Sequence, residues 1–370
     1  MDGNAFPSPR ARRWVLGWLG ASCVGILLMI MIGGITRLTE SGLSIVEWDL
    51  FRGVMPPVSQ AGWEEMFAKY QGSPQHRILY PEMTLDEFRA IFWWEYIHRL
   101  WGRGLGLLFG LPLLIFWIKG WLRGAILGWC LVALVLGGAQ GFLGWFMVQS
   151  GLVDSPRVSG YRLTAHLLLA ATLLGGLFWL LLKAGNFPRS DRLPTPFRWT
   201  LAGLTGLVLL QIGLGGFMAG TQAALVAPTF PLINGTFLPP TAFGGPNLLR
   251  DLFENPFTLQ FLHRSVAYIL MIGTTIWAIG AWPHVGKGPA QVWVAGLPIA
   301  ILLQGVFGVA TVVHSVGVIP VGWGVLHQVF GVATFLWALA ALFYFTGRSR
   351  PQDEASNLGT RETLLMQNPS

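Results

Sequence analysis

The sequence predicts an all-α polytopic membrane protein whose eight transmembrane helices form two tandem, pseudo-symmetric four-helix bundles. Three observations carry this: a low charge content, eight apolar runs of membrane-spanning length, and an internal repeat. Of 370 residues, 53% are hydrophobic and 11% charged, whereas soluble domains carry about 25% charged residues. The 48 glycines suit close helix contact in lipid, as in Gly106-Leu107-Leu108-Phe109-Gly110 and Gly216-Phe217-Met218-Ala219-Gly220. Cys23 and Cys130 both fall inside apolar runs, so no loop disulfide and no Cys-x-x-Cys metal site is available.

The eight runs start near Trp14, Ile91, Ala125, Tyr161, Arg198, Thr258, Gln291 and Val321. They end near Thr36, Ile118, Gln149, Leu182, Gly220, Trp282, His314 and Phe345, each long enough for about 30 Å of hydrocarbon. An even count puts both termini on one side. The N-terminus, the loops after spans 2, 4 and 6 and the C-terminal tail hold 13 Lys/Arg against five acids; the opposite side holds 11 against 12. The positive-inside rule therefore makes both termini cytoplasmic and disposes of the net charge of +7 without nucleic acid. The division expected is a cytoplasmic N-terminus (1–13), a first bundle (14–183), a cytoplasmic linker (184–197), a second bundle (198–346) and a disordered cytoplasmic tail (347–370). Span 1 is expected to be retained, since 1–13 lacks the pattern of a cleavable leader.

Two outward loops are long. The first, 37–90, is polar and mixed in charge, broken at Pro56-Pro57, and leads into span 2 through a Thr84…Glu87 capping box. The second, 221–257, is rich in Pro and Gly. Loops of this size usually cover a site or meet a partner.

The chain reads twice. Gly33-Gly34 at the end of span 1 is echoed by Gly215-Gly216 at the end of span 5. Glu95-Tyr96-Ile97-His98-Arg99 is echoed by Gln260-Phe261-Leu262-His263-Arg264 at an offset of 165. Gln140-Gly141-Phe142-Leu143-Gly144 returns as Gln304-Gly305-Val306-Phe307-Gly308 at 164, and Leu163-Thr164-Ala165-His166 as Gly324-Val325-Leu326-His327 at 161. Four spans separate the copies, so both keep one orientation, related by an axis along the membrane normal.

Four of the seven histidines, His98, His166, His263 and His327, fall one per even-numbered span near its outward end. Two imidazoles at matching depth on facing helices could grip one haem iron from both sides, whereas a lone membrane histidine is more often a helix–helix hydrogen bond. Without Cys-x-x-Cys-His any haem is held without thioether bonds. His76 in the polar loop and His284 at the inner surface are expected to be solvated. His314 closes span 7 outwardly, where a surface role competes with lining the second site. Glu95 and His98, three residues apart on a helix, lie within about 60° of one another, so a buried acid beside a metal ligand is a site hypothesis, against a surface Glu95–Arg99 pair. Arg99 and Arg264 could meet haem propionates or snorkel to the interface. The first half carries Glu95 where the second has Gln260, and an amide neither accepts a proton nor offsets positive charge. The first site is thus equipped for chemistry, the second for holding a haem or passing electrons.

At these residues the chain resembles the haem A synthase family. The likeness covers about 14–346 and rests on 33–45 (Gly33-Gly34-Ile35-Thr36-Arg37-Leu38-Thr39-Glu40 and onward), 52–57, 83–88, 92–103, Phe230-Pro231-Leu232-Ile233-Asn234-Gly235, Phe261-Leu262-His263-Arg264 and Leu326-His327-Gln328. It is nearest the alphaproteobacterial and mitochondrial branch; other branches carry loop cysteine pairs that this chain lacks. The resemblance implies conversion of haem O to haem A by successive hydroxylations of the C8 methyl and dehydration to a formyl group. It implies His98 and His166 as axial ligands of the substrate haem, His263 and His327 as ligands of a haem b cofactor, and Glu95 as the essential acid. It further implies a bacterial inner-membrane location with haem sites near the periplasmic side, haem O synthase as donor and terminal oxidase assembly factors as partners, and leaves a homo-oligomer open. Two rivals are a di-haem b-type electron-transfer cytochrome and a transporter or haem-handling chaperone.

Overall fold

The computed structural model describes residues 6–48, 52–153 and 155–347. The expected disorder of the tail and the first five residues lie outside them. Eleven α-helices are found there: α1 (Pro9–Leu38), α2 (Gln60–Gln71), α3 (Pro74–Leu79), α4 (Leu85–Ile118), α5 (Gly124–Gln149), α6 (Gly160–Ala184), α7 (Thr195–Gly220), α8 (Leu248–Glu254), α9 (Pro256–Val285), α10 (Pro289–Val313) and α11 (Val321–Tyr344). Eight of them (α1, α4–α7, α9–α11) are long and apolar enough to cross a membrane.

The ends follow local chemistry. Ser8 caps α1 by accepting from the Ala11 N–H at 3.1 Å, with Pro9 in the first turn. The helix therefore begins five residues before the expected apolar boundary at Trp14. The predicted capping box opens α4: Thr84 Oγ1 accepts from the Glu87 N–H at 3.4 Å and Glu87 Oε2 accepts from the Thr84 N–H at 2.8 Å. At 34 residues α4 is about 51 Å long, so its outward turns stand clear of the hydrocarbon. Apolar membrane helices have no hydrophobic drive to associate with one another; here the contacts come from glycine approaches and core interdigitation. The small side of Gly216 lies against Thr164, and Gly175 against Phe335 and Leu339.

In the first half α1 packs on α4 and α6, and α5 on α6. In the second, α7, α9, α10 and α11 close a ring in which each touches the next. The halves meet where α6 and α7 pack together and α11 lies against α1 and α6. One seam differs. The α9–α10 contact runs along both helices, whereas its counterpart, α4–α5, is slight.

The outward segments are more ordered than a polar loop suggests. The segment 37–90 contains α2 and α3, whose Phe67 and Tyr70 pack with His76 against Phe88 of α4. His76 is consequently 8% exposed, not solvated as the sequence suggested, and its burial lowers the imidazole pKa. His284 is exposed beside Phe197, as expected. Cys23 and Cys130 are free and buried in one inward core with Trp18, Phe116 and Ile126.

Glu40 fastens these layers. It follows α1 in the left-handed region (φ 52°) and accepts from the Tyr80 hydroxyl at 2.7 Å, Gln222 Nε2 at 2.6 Å and Arg157 Nε at 3.4 Å. Arg37 donates across the same boundary to the Ala219 carbonyl at 2.7 Å. Burial raises the Glu40 pKa, but the Tyr80 hydrogen bond and the charges of Arg157 and Arg37 outweigh it, so the net direction is down. A carboxyl depressed on folding contributes stability above its unfolded pKa and loses it as pH falls through the folded value. Glu40→Gln should cost about 1–3 kcal/mol and remove part of the acid-side loss of stability, read by thermal unfolding of wild type and variant between about pH 7 and pH 3.

Candidate haem-binding site

The four outward-lying histidines share one local device. In each half, two imidazoles project from the second and fourth spans toward glycines of the spans that precede them. A Cβ on Gly33 of α1 would lie 3.3 Å from His98 Nε2, and one on Gly144 of α5 would lie 3.0 Å from His166 Cε1. The equivalent distances are 3.5 Å from Gly215 of α7 to His263 Cε1 and 2.9 Å from Gly308 of α10 to His327 Cε1. Glycine makes room for the ring at Gly33, Gly144 and Gly308, where a Cβ would be tight or would clash, while at Gly215 a Cβ would make an ordinary contact. The paired motifs that mark the repeat in the sequence are thus the packing surface of the histidines.

Glutamines set the height of three of them. Gln140 Nε2 donates to the His166 carbonyl at 3.0 Å, Gln211 Nε2 to the His263 carbonyl at 2.8 Å, and Gln304 Nε2 to the His327 carbonyl at 2.9 Å. Gln140 and Gln304 stood in the repeat without a role, and Gln211 had no signal in the sequence. The Nδ1 atoms of His166 and His263 are buried with no hydrogen-bond partner among the described residues.

The rings of His263 and His327 have centroids 6.3 Å apart. Metal–imidazole bonds of about 2 Å on either side of one ion place ring centroids about 6 Å apart. Among the described residues there is no cluster of three or more His, Cys, Asp or Glu able to hold a metal. A metal between these rings must therefore bring its other ligands with it, as a porphyrin does. His98 and His166 line a single cavity of about 750 Å³ in the first half.

Glu95 lies on the wall of that cavity, 2% exposed. Its Oε2 accepts from the Ser44 hydroxyl and the Ile45 N–H, both at 2.7 Å, and its Oε1 from Arg99 Nη2 at 2.6 Å. The Glu95–Arg99 pair weighed above is thus present but buried. Arg99 also donates to the carbonyls of Ile45 at 2.6 Å and Glu47 at 2.8 Å, with its guanidinium over Trp48. Glu95 and Arg99 together clamp the strap 44–48 over the cavity. The outward mouth carries Arg37, Arg103 and Arg157 besides Arg99; only Arg99 was given a role from sequence, Arg37 and Arg157 coming from segments distant in the chain and Arg103 standing one turn along the same helix.

Gln260 and Arg264 build the matching clamp with reversed polarity. Gln260 Nε2 donates to the carbonyls of Ala223 at 2.6 Å and Ala227 at 3.3 Å, while its Oε1 accepts from Arg264. Arg264 Nη1 reaches the carbonyls of Pro231 and Leu232, each at 3.4 Å. In the first half the strap presents donors and the helix supplies a carboxylate; in the second the strap presents acceptors and the helix supplies an amide. His314 is exposed, hydrogen-bonded to the Ala310 carbonyl at 2.8 Å and stacked near Trp323.

Gln260→Glu sets a carboxylate against two carbonyl oxygens. It should cost about 1–3 kcal/mol by stranding buried acceptors, measured as a lower thermal midpoint of the purified protein.

The chain matches the COX15-CtaA family, described as cytochrome oxidase assembly protein, over residues 16–339. It is 40% identical over 354 residues to a protein of Rhizobium meliloti named heme A synthase, covering 94% of this chain and 93% of that protein. It is 41% identical over 338 residues to the heme A synthase of Paramagnetospirillum magneticum (89% and 94%), and 38% identical over 339 residues to that of Parvibaculum lavamentivorans (90% and 96%). With eight membrane-length helices and a family match that spans both halves, the chain is a multi-pass membrane protein and belongs to the COX15-CtaA family of cytochrome oxidase assembly proteins.

Proposed function

We propose that this chain is a haem A synthase, an oxidoreductase that converts haem O to haem A by oxidising the C8 methyl group of the porphyrin to a formyl group. Two successive hydroxylations, each a two-electron oxidation that draws on an external oxidant and an oxygen donor, take the methyl to a geminal diol, and loss of one water leaves the aldehyde. The observation that carries the reading is that an imidazole pair and a buried, hydrogen-bonded carboxylate line one cavity, whereas the other imidazole pair is accompanied by an amide.

In this reading the half spanning 14–183 takes the substrate, with His98 and His166 on its iron, and the half spanning 198–346 holds haem b between His263 and His327. Haem b supplies one-electron transfer when bound. The chain itself supplies position and charge. The glycine contacts fix ring orientation, and the glutamine–carbonyl bonds fix helix register. Glu95 acts on the positive charge that develops at the methyl carbon. With donors already on both oxygens, the carboxyl group is fixed in orientation and its lone pairs are engaged, which favours electrostatic stabilisation over proton abstraction from water. Arg99, with Arg37, Arg103 and Arg157 at the mouth, meets the substrate propionates, and Arg264 does so in the second half. The straps exclude bulk water, which strengthens each of these interactions. Both termini are cytoplasmic and both sites lie toward the periplasmic side of the inner membrane. Haem O synthase supplies the substrate, and the product passes to terminal oxidase assembly.

Glu95→Gln keeps the size of the side chain but turns an amide N–H toward either Arg99 or the strap donors. Haem A yield, measured by HPLC of haems extracted from membranes, should fall about a hundredfold, with the second-site haem retained. An unaltered yield would remove Glu95 from the chemistry. Gly308→Ala drives a methyl into His327 and should reduce haem b content and its low-spin spectrum, leaving the first site loaded.

A further inference from the structure

The first-half cavity continues inward well beyond its histidines. On every helix of this half, the lining residues recur two and three turns below the imidazole level. They are Ile26 and Ser22 on α1, Leu105 and Phe109 on α4, Gly137 and Ala133 on α5, and Leu173 and Leu177 on α6. Eleven residues of helix below Gly33, His98, Gly144 and His166 correspond to about 16 Å. This arm is apolar and lies beside the slight α4–α5 seam, where Gly137 and Gly138 are exposed.

The repeat supplies an internal control. Two turns below the second imidazole pair stand Val208, Leu270, Ile301 and Thr334, which are 4%, 2%, 7% and 2% exposed. Val208, Leu270 and Ile301 belong to one continuous core with Leu204 and Leu297 in the next layer. Their counterparts in the first half are Ile26, Leu105, Gly137 and Leu173, none of them buried, with Ser22 and Ala133 (2% and 8% exposed) in the layer below. The second half thus has a solid floor beneath its imidazoles, and the first half has an opening. The largest difference at the first floor layer is on one helix: Gly137 stands where Ile301 fills the second half. A Cβ built on Gly137 meets nothing within 4 Å.

We propose that this inward arm is the subsite for the isoprenoid chain of the substrate porphyrin, and that Gly137 is the residue that lets the first half accept a tailed haem while Ile301 restricts the second to an untailed one. The inference rests on the reading that the first half takes haem O, which differs from protohaem by its hydroxyethylfarnesyl chain. Such a chain is flexible, long and apolar. It gains by burial along the arm, and a porphyrin gripped by His98 and His166 directs one edge toward it. The second half offers the same axial ligands, so discrimination between the two haems must come from the space below them. A filled floor rejects the tail by overpacking, which typically costs 1–3 kcal/mol or more.

The test is haem titration of the purified full-length chain, already loaded at the second site, with haem O and separately with protohaem, followed in the Soret band. Gly137→Ile builds into open space and should leave the fold and the second-site spectrum intact. Haem O affinity at the first site should fall about tenfold or more while protohaem affinity stays within about twofold. An equal loss of both haems, or no loss of haem O, overturns the arm as a tail subsite. Ser22→Leu, one layer deeper, should give the same selective loss if Gly137→Ile folds poorly. Conversion is scored separately: wild-type protein that binds haem O with this discrimination but forms no haem A would sink the proposed activity and leave the subsite standing.

Discussion

The structure depends on one constraint, that four imidazoles are packed against helix glycines, three of them in contacts too tight for a larger residue. An imidazole between two membrane helices needs as much room as a medium side chain, and close-packed interiors do not yield it without strain. Gly33, Gly144, Gly215 and Gly308 yield it by having nothing to displace. Once the rings occupy those gaps, the crossings of α1 with α4, α5 with α6, α7 with α9 and α10 with α11 are tied to ring position. The glutamine bonds to the histidine carbonyls then remove axial freedom. Ligand geometry is thereby written into helix packing, which keeps two soft, long-range elements in register over a bilayer.

Above this layer the two halves solve one problem with opposite chemistry. Each outward strap passes over an imidazole pair and is held by an i,i+4 pair on the helix below. The first strap turns a hydroxyl and an N–H downward and requires an acceptor; the second turns carbonyls downward and requires a donor. The Glu95/Gln260 difference is therefore structural as well as chemical. Exchanging the carboxylate between halves leaves the strap of each mismatched in hydrogen-bond polarity. The repeat presents two imidazole pairs, and the polarity of the straps makes their surroundings unequal.

Below the imidazoles the difference is one of volume. Apolar side chains close the second half into a continuous core, while α4 and α5 stay apart in the first. Lipid does not penalise an apolar cleft as water does, so a membrane protein can keep such an opening at modest cost. The expense falls on packing, since the α4–α5 interface forgoes the contacts that α9 and α10 make.

Much of this was legible in the chain itself. Length, hydropathy and basic-residue asymmetry determined eight spans, because the hydrocarbon thickness fixes how many apolar residues a helix must carry. Nearly constant offsets pointed to the repeat, and with it to the expected pairing of His98 with His166 and of His263 with His327. Helical spacing put Glu95 and Arg99 on one face. The tertiary structure alone decided what those groups face. It showed that His76 is buried under the α2–α3 cap, that Arg37, Arg103 and Arg157 converge on the mouth, and that Glu95 answers to Ser44 and Ile45 some fifty residues away. It also decided that equal histidine pairs sit over unequal floors. Periodicity reports which face of a helix is apolar, but whether that face meets a neighbour or a void depends on where the other three helices stand. That distance is set by packing between segments remote in sequence, which local patterns do not encode.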